Sequence, residues 1–318
     1  MYPWGQIRFV NKTKGRILII RGGAIGEFIL TCPVFAALRA QFPETGLEIL
    51  GYPRIAQLAK TAGLVDDIRS IETRAAAGFF ARQGALDPDL CDYFAQFTVI
   101  LSYLYDPDGI FQINVGRASA AQFISGPARP SEAENVHATG VFLKPLERLA
   151  IFEADPTPRL TFPSSETHSG PWIAVHAGGD FNHPRNWSES KWRVFLETIL
   201  ARTFYRILLI ASDGEARAVE RLAANLPAER VSLVKNASFS DLAAHFTSCQ
   251  AFIGHDSGIS QLAAATGIPC IALWGSSNEA IWRPLGKNVV VLKNRAGAIG
   301  ITQEEALAAL PMVWAGAE

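Results

Sequence analysis

The sequence predicts an α/β chain built as two doubly wound, Rossmann-like halves that face a central cleft. Three observations carry this. A length of 318 residues exceeds what one hydrophobic core usually serves, so two domains are expected. Short β-branched apolar runs alternate with stretches of helical periodicity from residue 16 onward, the pattern of parallel βαβ units. Near the middle, ADPTPRLTFPSSETHSGP (154–171) interrupts the alternation with four prolines and a polar cluster, after which it restarts. The expected division is 1–158 and 159–318, with the ligand in the cleft between the halves, at the carboxyl ends of their strands.

In the front half RILIIR (16–21) is an apolar run between Gly15 and Gly22 and reads as the first strand. Leu30, Val34 and Leu38 recur every fourth residue and so share a helical face. LEILGYP (47–53), DIRSI (67–71) and FTVILSY (97–103) supply three further strands, while 75–92 and 104–140 read as connections with short helices. In the rear half WIAVHA (172–177), YRILLIAS (205–212), VSLV (231–234), AFIG (251–254) and PCIALWG (269–275) are strands. Helices are expected from about Glu189, up to about Asn225, from about Ser240 and from Ser257. Thr302 and Glu305 stand in capping-box spacing, so a final helix over about 302–316 is expected, with the option of packing back on the front domain.

Composition narrows the function. Lys plus Arg balance Asp plus Glu at 16 against 16 up to residue 160 and at 13 against 14 after it, so no basic face for nucleic acid emerges. The local excess Arg8, Lys12, Lys14, Arg16 and Arg21 reads as a solvated arm, or as a contact for an anionic acceptor or membrane surface. Cys32, Cys91, Cys249 and Cys270 are scattered, without metal-ligand spacing, and fit a reducing compartment. The amino terminus lacks the long apolar core of a signal peptide, and no apolar run reaches the roughly 18 residues of a spanning helix, so a cytoplasmic protein is expected.

The turn Arg21-Gly22-Gly23-Ala24-Ile25-Gly26-Glu27 joins the first strand to its helix. Gly22, Gly23 and Gly26 miss the one-three-six spacing of a dinucleotide fingerprint, and no P-loop lysine follows. What remains is a tight turn that sets Glu27 in the first helical turn, facing the cleft, either as a group acting on substrate or as an acid stabilised by the helix dipole. In the rear half Gly254-His255-Asp256-Ser257-Gly258 follows a strand and opens a helix that ends at Gly267. Asp256 or Ser257 caps it, and its amino terminus is either a seat for a diphosphate or a capped end without a ligand.

These two segments carry a resemblance. RILIIRGGAIGEFILTCPVFAALRAQFP and IGHDSGISQLAAATGIPCIALWGSSNEAIWRPLG resemble glycosyltransferase family 9, the ADP-heptose:lipopolysaccharide heptosyltransferases. The resemblance covers about 16–50 and 172–292 and implies the GT-B architecture. It makes Glu27 the general base, where the family usually has Asp, and gives Asp256 to donor-sugar hydroxyls and the amides of Ser257 and Gly258 to the diphosphate. His176-Ala177-Gly178-Gly179 followed by Arg185-Asn186-Trp187 is similar to the family's strand–loop and Lys-x-Trp, which puts Arg185 on donor phosphate; Trp187 reads as packing. Ser212-Asp213-Gly214-Glu215 resembles the nucleotide-side loop and turns Glu215 toward the ribose. The family's usual His is Gln261 here, which hydrogen-bonds but carries no charge near neutral pH.

The implied reaction is inverting, metal-independent transfer of a sugar, heptose by the resemblance, from a nucleotide diphosphate sugar to a glycan or lipopolysaccharide-core acceptor. An ADP-sugar is the implied co-substrate, with no other cofactor and at most a peripheral place at the inner membrane. Asp87-Pro88-Asp89 and Asp106-Pro107-Asp108-Gly109 read as turns rather than metal anchors. Two rivals stand beside this: a weak or inactive relative that binds sugar nucleotide or glycan, motivated by Glu27, Arg185 and Gln261, and a sugar-nucleotide epimerase on the same architecture.

Overall fold

A computed structural model describes residues 15–163, 170–178, 181, 186–212 and 214–314, with backbone alone for 311–314. The amino-terminal arm, Gly179, Arg185 and Asp213 lie outside the described residues. The front sheet holds β1 (Arg16–Arg21), β2 (Gly46–Gly51), β3 (Asp67–Ser70), β4 (Val99–Ser102) and β5 (Gln122–Ser125), all parallel, in the order β3-β2-β1-β4-β5. Its helices are α1 (Ile25–Gln41), α2 (Pro53–Thr61), α3 (Pro88–Phe94), α4 (Ile110–Ala118) and α5 (Ala138–Leu143). The rear sheet holds β6 (Trp172–His176), β7 (Arg206–Ala211), β8 (Val231–Lys235), β9 (Ala251–His255), β10 (Cys270–Trp274) and β11 (Val289–Lys293), again parallel, in the order β11-β10-β9-β6-β7-β8. With it go α6 (Glu189–Arg202), α7 (Ala216–Ala223), α8 (Phe239–Thr247), α9 (Gly258–Ala265), α10 (Glu279–Trp282) and α11 (Gln303–Trp314).

Both sheets reverse direction between their first and fourth strands, so each has a crevice at the carboxyl end of that pair, where α/β sheets take ligands. The central strands are apolar through their middles because helices cover both faces; Leu18, Ile19, Ile20, Ile173 and Ala174 are fully buried. One apolar cluster runs from α1 (Phe28, Ile29, Leu30) into α9 (Ile259, Leu262, Ala263), so the two domains share a core where these helices meet.

Three expectations change. β5 has one fully buried residue, so no long apolar run announced it. β11 was absent from the expected series although Val289, Val290, Val291 and Leu292 carry the strand signal; it is a half-buried edge. The last helix packs against β9, β10, β11 and α6 of the rear domain rather than back on the front one, because Ala306, Ala309 and Leu310 complete that domain's own core. The proline-rich segment crosses between the sheets, and the Leu160 amide already donates to Ala265 in the rear domain at 2.8 Å. Of the two Asp-Pro-Asp motifs expected as turns, the first instead opens a helix, Asp87 capping α3 through the Leu90 amide at 3.1 Å, while the second is a turn in which Asp106 accepts from Phe111 and Gln112 at 3.1 and 3.0 Å.

Candidate active site between the two domains

The turn after β1 explains its glycines. Gly23 has φ of +92°, a left-handed conformation that favours glycine, and a Cβ there would stand 2.3 Å from Glu27 Oε2. The bare turn lets the Glu27 carboxylate fold back, where Oε2 accepts from the Ala24 amide at 3.3 Å. Its other oxygen pairs with Arg129 Nε at 2.9 Å, and the side chain stays 16% exposed, so the carboxylate is held but open to the cleft. Arg21 stabilises this from below: its guanidinium donates to the carbonyls of Ala128 (2.9 Å) and Glu27 (3.3 Å) and lies over the Phe142 ring. Burial lowers the Arg21 pKa to about 10, which still leaves it charged at neutral pH.

Opposite stands the first turn of α9. Ser257 is the cap and its hydroxyl accepts from the Ser260 amide at 3.3 Å. The amides of Gly258 and Ile259 keep no protein acceptor among the described residues, and they sit at the positive end of the helix. The two helix starts touch: a Cβ on Gly26 would lie 3.4 Å from Gly258 Cα, and one on Gly258 would lie 2.5 Å from Ile25 Cγ2. Gly26 and Gly258 are therefore the contact through which the front acid and the rear helix tip share one groove.

Among the described residues two cavities belong to that groove, and both include Ile25, Ser257 and Gly258. One, about 590 Å³, is lined by Glu27, Arg129, Glu132, Asp256, Gln261 and Trp282 among others. The other, about 320 Å³, has an apolar wall of Ile210, Val234, Phe239 and Leu242, with His176, Ser212, Asn236 and Arg54 as polar groups.

Most of the expected residues converge here. Gln261 is buried and donates through Nε2 to the Trp282 carbonyl at 2.6 Å, so it fixes α10 at the rim. Glu215 stands one layer behind the groove instead of on its surface. Its Oε2 accepts from His176 Nε2 (3.0 Å) and from the Ser212 amide (2.7 Å), and those two residues are the ones that line the cavity. Burial pulls the Glu215 carboxyl upward, but hydrogen bonds from His176 and Ser212 outweigh this and leave it below its ordinary value. Burial pushes His255 down to about 3; it is neutral, and its Nε2 accepts the Trp187 amide at 2.7 Å. Trp187 is fully buried against Trp192 and Phe195, a packing residue.

Sequence reasoning missed Arg129, Trp282 and Glu132. The Arg129 guanidinium lies over the Trp282 ring at 5.6 Å, and Trp282 Nε1 donates to Glu132 at 2.9 Å. These contacts tie the 127–137 loop of the front domain to α10 of the rear one, reinforced by Asn278 to Asn135 and His137 to the Arg283 carbonyl, each 2.9 Å. No local motif marks Arg129; only the fold brings it to Glu27.

The profile of glycosyltransferase family 9 (heptosyltransferase) matches residues 152–307. Over these residues the chain resembles glycosyltransferase family 9. It is 28% identical over 148 residues to lipopolysaccharide heptosyltransferase 1 of Pseudomonas aeruginosa, a match spanning 46% of this chain and 37% of that relative. It is 22% identical over 296 residues to lipopolysaccharide heptosyltransferase 3 of Escherichia coli, spanning 83% and 85%. The structure of ADP-heptose lipopolysaccharide heptosyltransferase II of Escherichia coli superposes with a TM-score of 0.75 at 16% identity, covering 94% of this chain and 98% of that one. The GT-B fold of family 9 therefore extends through residues 75–150, where sequence showed no resemblance.

Proposed function

We propose that this chain is a family 9 glycosyltransferase that moves a sugar, with inversion and without a metal, from an ADP-sugar to a lipopolysaccharide-core-like acceptor, and that the sugar is heptose. The observation that carries the reading is the shared groove in which the Glu27 carboxylate faces the open amides of α9 across the Gly26–Gly258 contact. The names of the similar heptosyltransferases supply the choice of donor and acceptor.

Glu27 takes the proton of an acceptor hydroxyl, whose oxygen bonds to the anomeric carbon as the bond from that carbon to the diphosphate oxygen breaks. The electron pair leaves on the diphosphate, where the Gly258 and Ile259 amides and the α9 dipole stabilise it. Asp256, on the wall of the larger cavity, takes the donor-sugar hydroxyls in this reading. The smaller cavity, apolar on one wall, suits the base and ribose. Arg185 remains the proposed phosphate contact, on the resemblance alone. A cytoplasmic place, at most peripheral to the inner membrane, belongs to the same reading; among the described residues no helix is long and apolar enough to cross a membrane.

The test is transfer by the purified chain from ADP-heptose to heptose-free lipopolysaccharide core, in excess chelator, with the product anomer read by NMR. Inverted product that depends on acceptor is expected. Epimerised free nucleotide sugar without acceptor, or no turnover on ADP-, GDP-, UDP- or dTDP-sugars, sinks the reading.

A further inference from the structure

A separate cavity of about 220 Å³ lies at the carboxyl ends of β4 and β5, and among the described residues everything on its wall falls within 102–128 of the front domain. Tyr105, Pro107 and Phe123 give it apolar surface, and Ser102 and Ser125 give it hydroxyl groups. Tyr105 is 84% exposed. An isolated exposed ring is ordinary, but this one stands on a concave wall at the sheet edge where α/β folds take ligands.

The backbone that carries the ring is pinned on both sides. The Leu104 amide donates to Ser102 Oγ at 3.3 Å, and the Asp106 carboxylate accepts the amides of Phe111 and Gln112 at the start of α4. A tyrosine has few rotatable bonds, so ordering it against a ligand costs little. The 126–128 stretch on the same wall is tightly packed: a Cβ on Gly126 would stand 2.7 Å from Tyr103 Cε1 and 3.0 Å from Pro145 Cγ. One buried guanidinium then ties the cavity to Glu27. Arg21 donates to the Ala128 carbonyl, on the cavity wall, at 2.9 Å and to the Glu27 carbonyl at 3.3 Å. The next residue, Arg129, pairs with the Glu27 carboxylate at 2.9 Å.

Resting on the transferase reading given above, we infer that this cavity is a carbohydrate subsite for the acceptor, in which Tyr105 stacks on a sugar ring next to the one whose hydroxyl meets Glu27. A sugar ring presents a face of C–H groups and a rim of hydroxyls; the aromatic face takes the first and the serines the second. The volume falls below the roughly 300–1,000 Å³ of sites for larger ligands, which suits a single ring. Among the described lining residues there is no Lys or Arg, so a phosphate or carboxylate group finds no cation here and a neutral ring is favoured. The donor groups sit on α9 of the other domain, which leaves this edge of the front sheet to the acceptor.

The experiment measures transfer by the full chain from ADP-heptose to heptose-free lipopolysaccharide core and to the same core freed of its acyl chains, with ADP affinity by calorimetry alongside. Tyr105→Ala is expected to raise KM for both acceptors by about three- to tenfold, the worth of one aromatic contact, with kcat and ADP affinity unchanged. Tyr105→Phe keeps the ring and restores KM. Phe204→Ala, at a ring 94% exposed between α6 and β7, is the control and leaves every value unchanged. An unchanged KM in Tyr105→Ala overturns the inference and leaves the transferase reading standing. So does a rise confined to the acylated core, which assigns Tyr105 to lipid, or an equal loss in Tyr105→Phe, which assigns the effect to the hydroxyl. Weakened ADP binding in Tyr105→Ala overturns it as well. An unaltered chain that transfers to neither acceptor removes the transferase reading itself, and this inference with it.

Discussion

Gly258→Ala tests the contact on which the site depends. Gly258 begins α9 with a negative φ, so its backbone accepts alanine without strain, and helix propensity favours the change by at most about 1 kcal/mol. The new Cβ, however, would stand 2.5 Å from Ile25 Cγ2 and 3.1 Å from the Gly26 nitrogen. Carbon atoms rest about 3.5–4.0 Å apart, so the methyl groups overlap by roughly 1.0–1.5 Å. Ile25 is β-branched and stiff at χ1, and Gly26 N is backbone, so the relief is a parting of α1 from α9. Overpacking of this kind costs about 1–3 kcal/mol, which after the helix gain leaves a net loss of about 0–3 kcal/mol and lowers Tm by a few degrees. Catalysis loses far more, because a misplacement of about 1 Å between reacting groups is worth about a hundredfold. ADP release from ADP-heptose in the presence of acceptor is the assay, with thermal unfolding measured alongside. Gly116→Ala is the control, since a Cβ there meets nothing within 4 Å and should leave activity unchanged. A Gly258→Ala enzyme as fast as the unaltered one refutes the claim that this contact sets the reacting groups.

Other perturbations probe separate links. Glu27→Gln should lower kcat by about 10²–10⁴-fold with little effect on ADP affinity, and a variant keeping a tenth of the activity or more excludes Glu27 as the base. Tyr93→Phe leaves the buried Glu48 carboxylate without a hydrogen bond of 2.7 Å and should cost about 1–3 kcal/mol in urea unfolding with turnover intact, since neither residue lines the groove. His255 is neutral in the fold, with a pKa pushed down to about 3, while the unfolded chain protonates it near 6.5. Its contribution is fully present above about 6.5 and is lost as pH falls toward 3, at up to about 1.4 kcal/mol per pH unit. His255→Gln can still accept from the Trp187 amide but does not titrate, so its stability should fall less between pH 7 and pH 5; parallel pH profiles would contradict the assignment.

The sequence by itself determined the two-domain α/β plan, because strand and helix periodicities depend on neighbours two to four residues away. It also determined the two turns that matter: glycines around Glu27 and a capped helix after Asp256 are local necessities of backbone geometry. Partners brought together from distant segments were invisible. Arg129 reaches Glu27 across 102 positions only because both lie at carboxyl ends of the front sheet, and Trp282 closes over them from the other domain. Glu215 could be placed near the nucleotide from its motif, but tertiary structure decided that His176 and Ser212 stand in front of it. Where the last helix packs was also open to sequence, since an apolar stripe states that a face is buried and never against what. Periodicity encodes the surface each element must hide. Only the assembled fold decides which surfaces and charges meet.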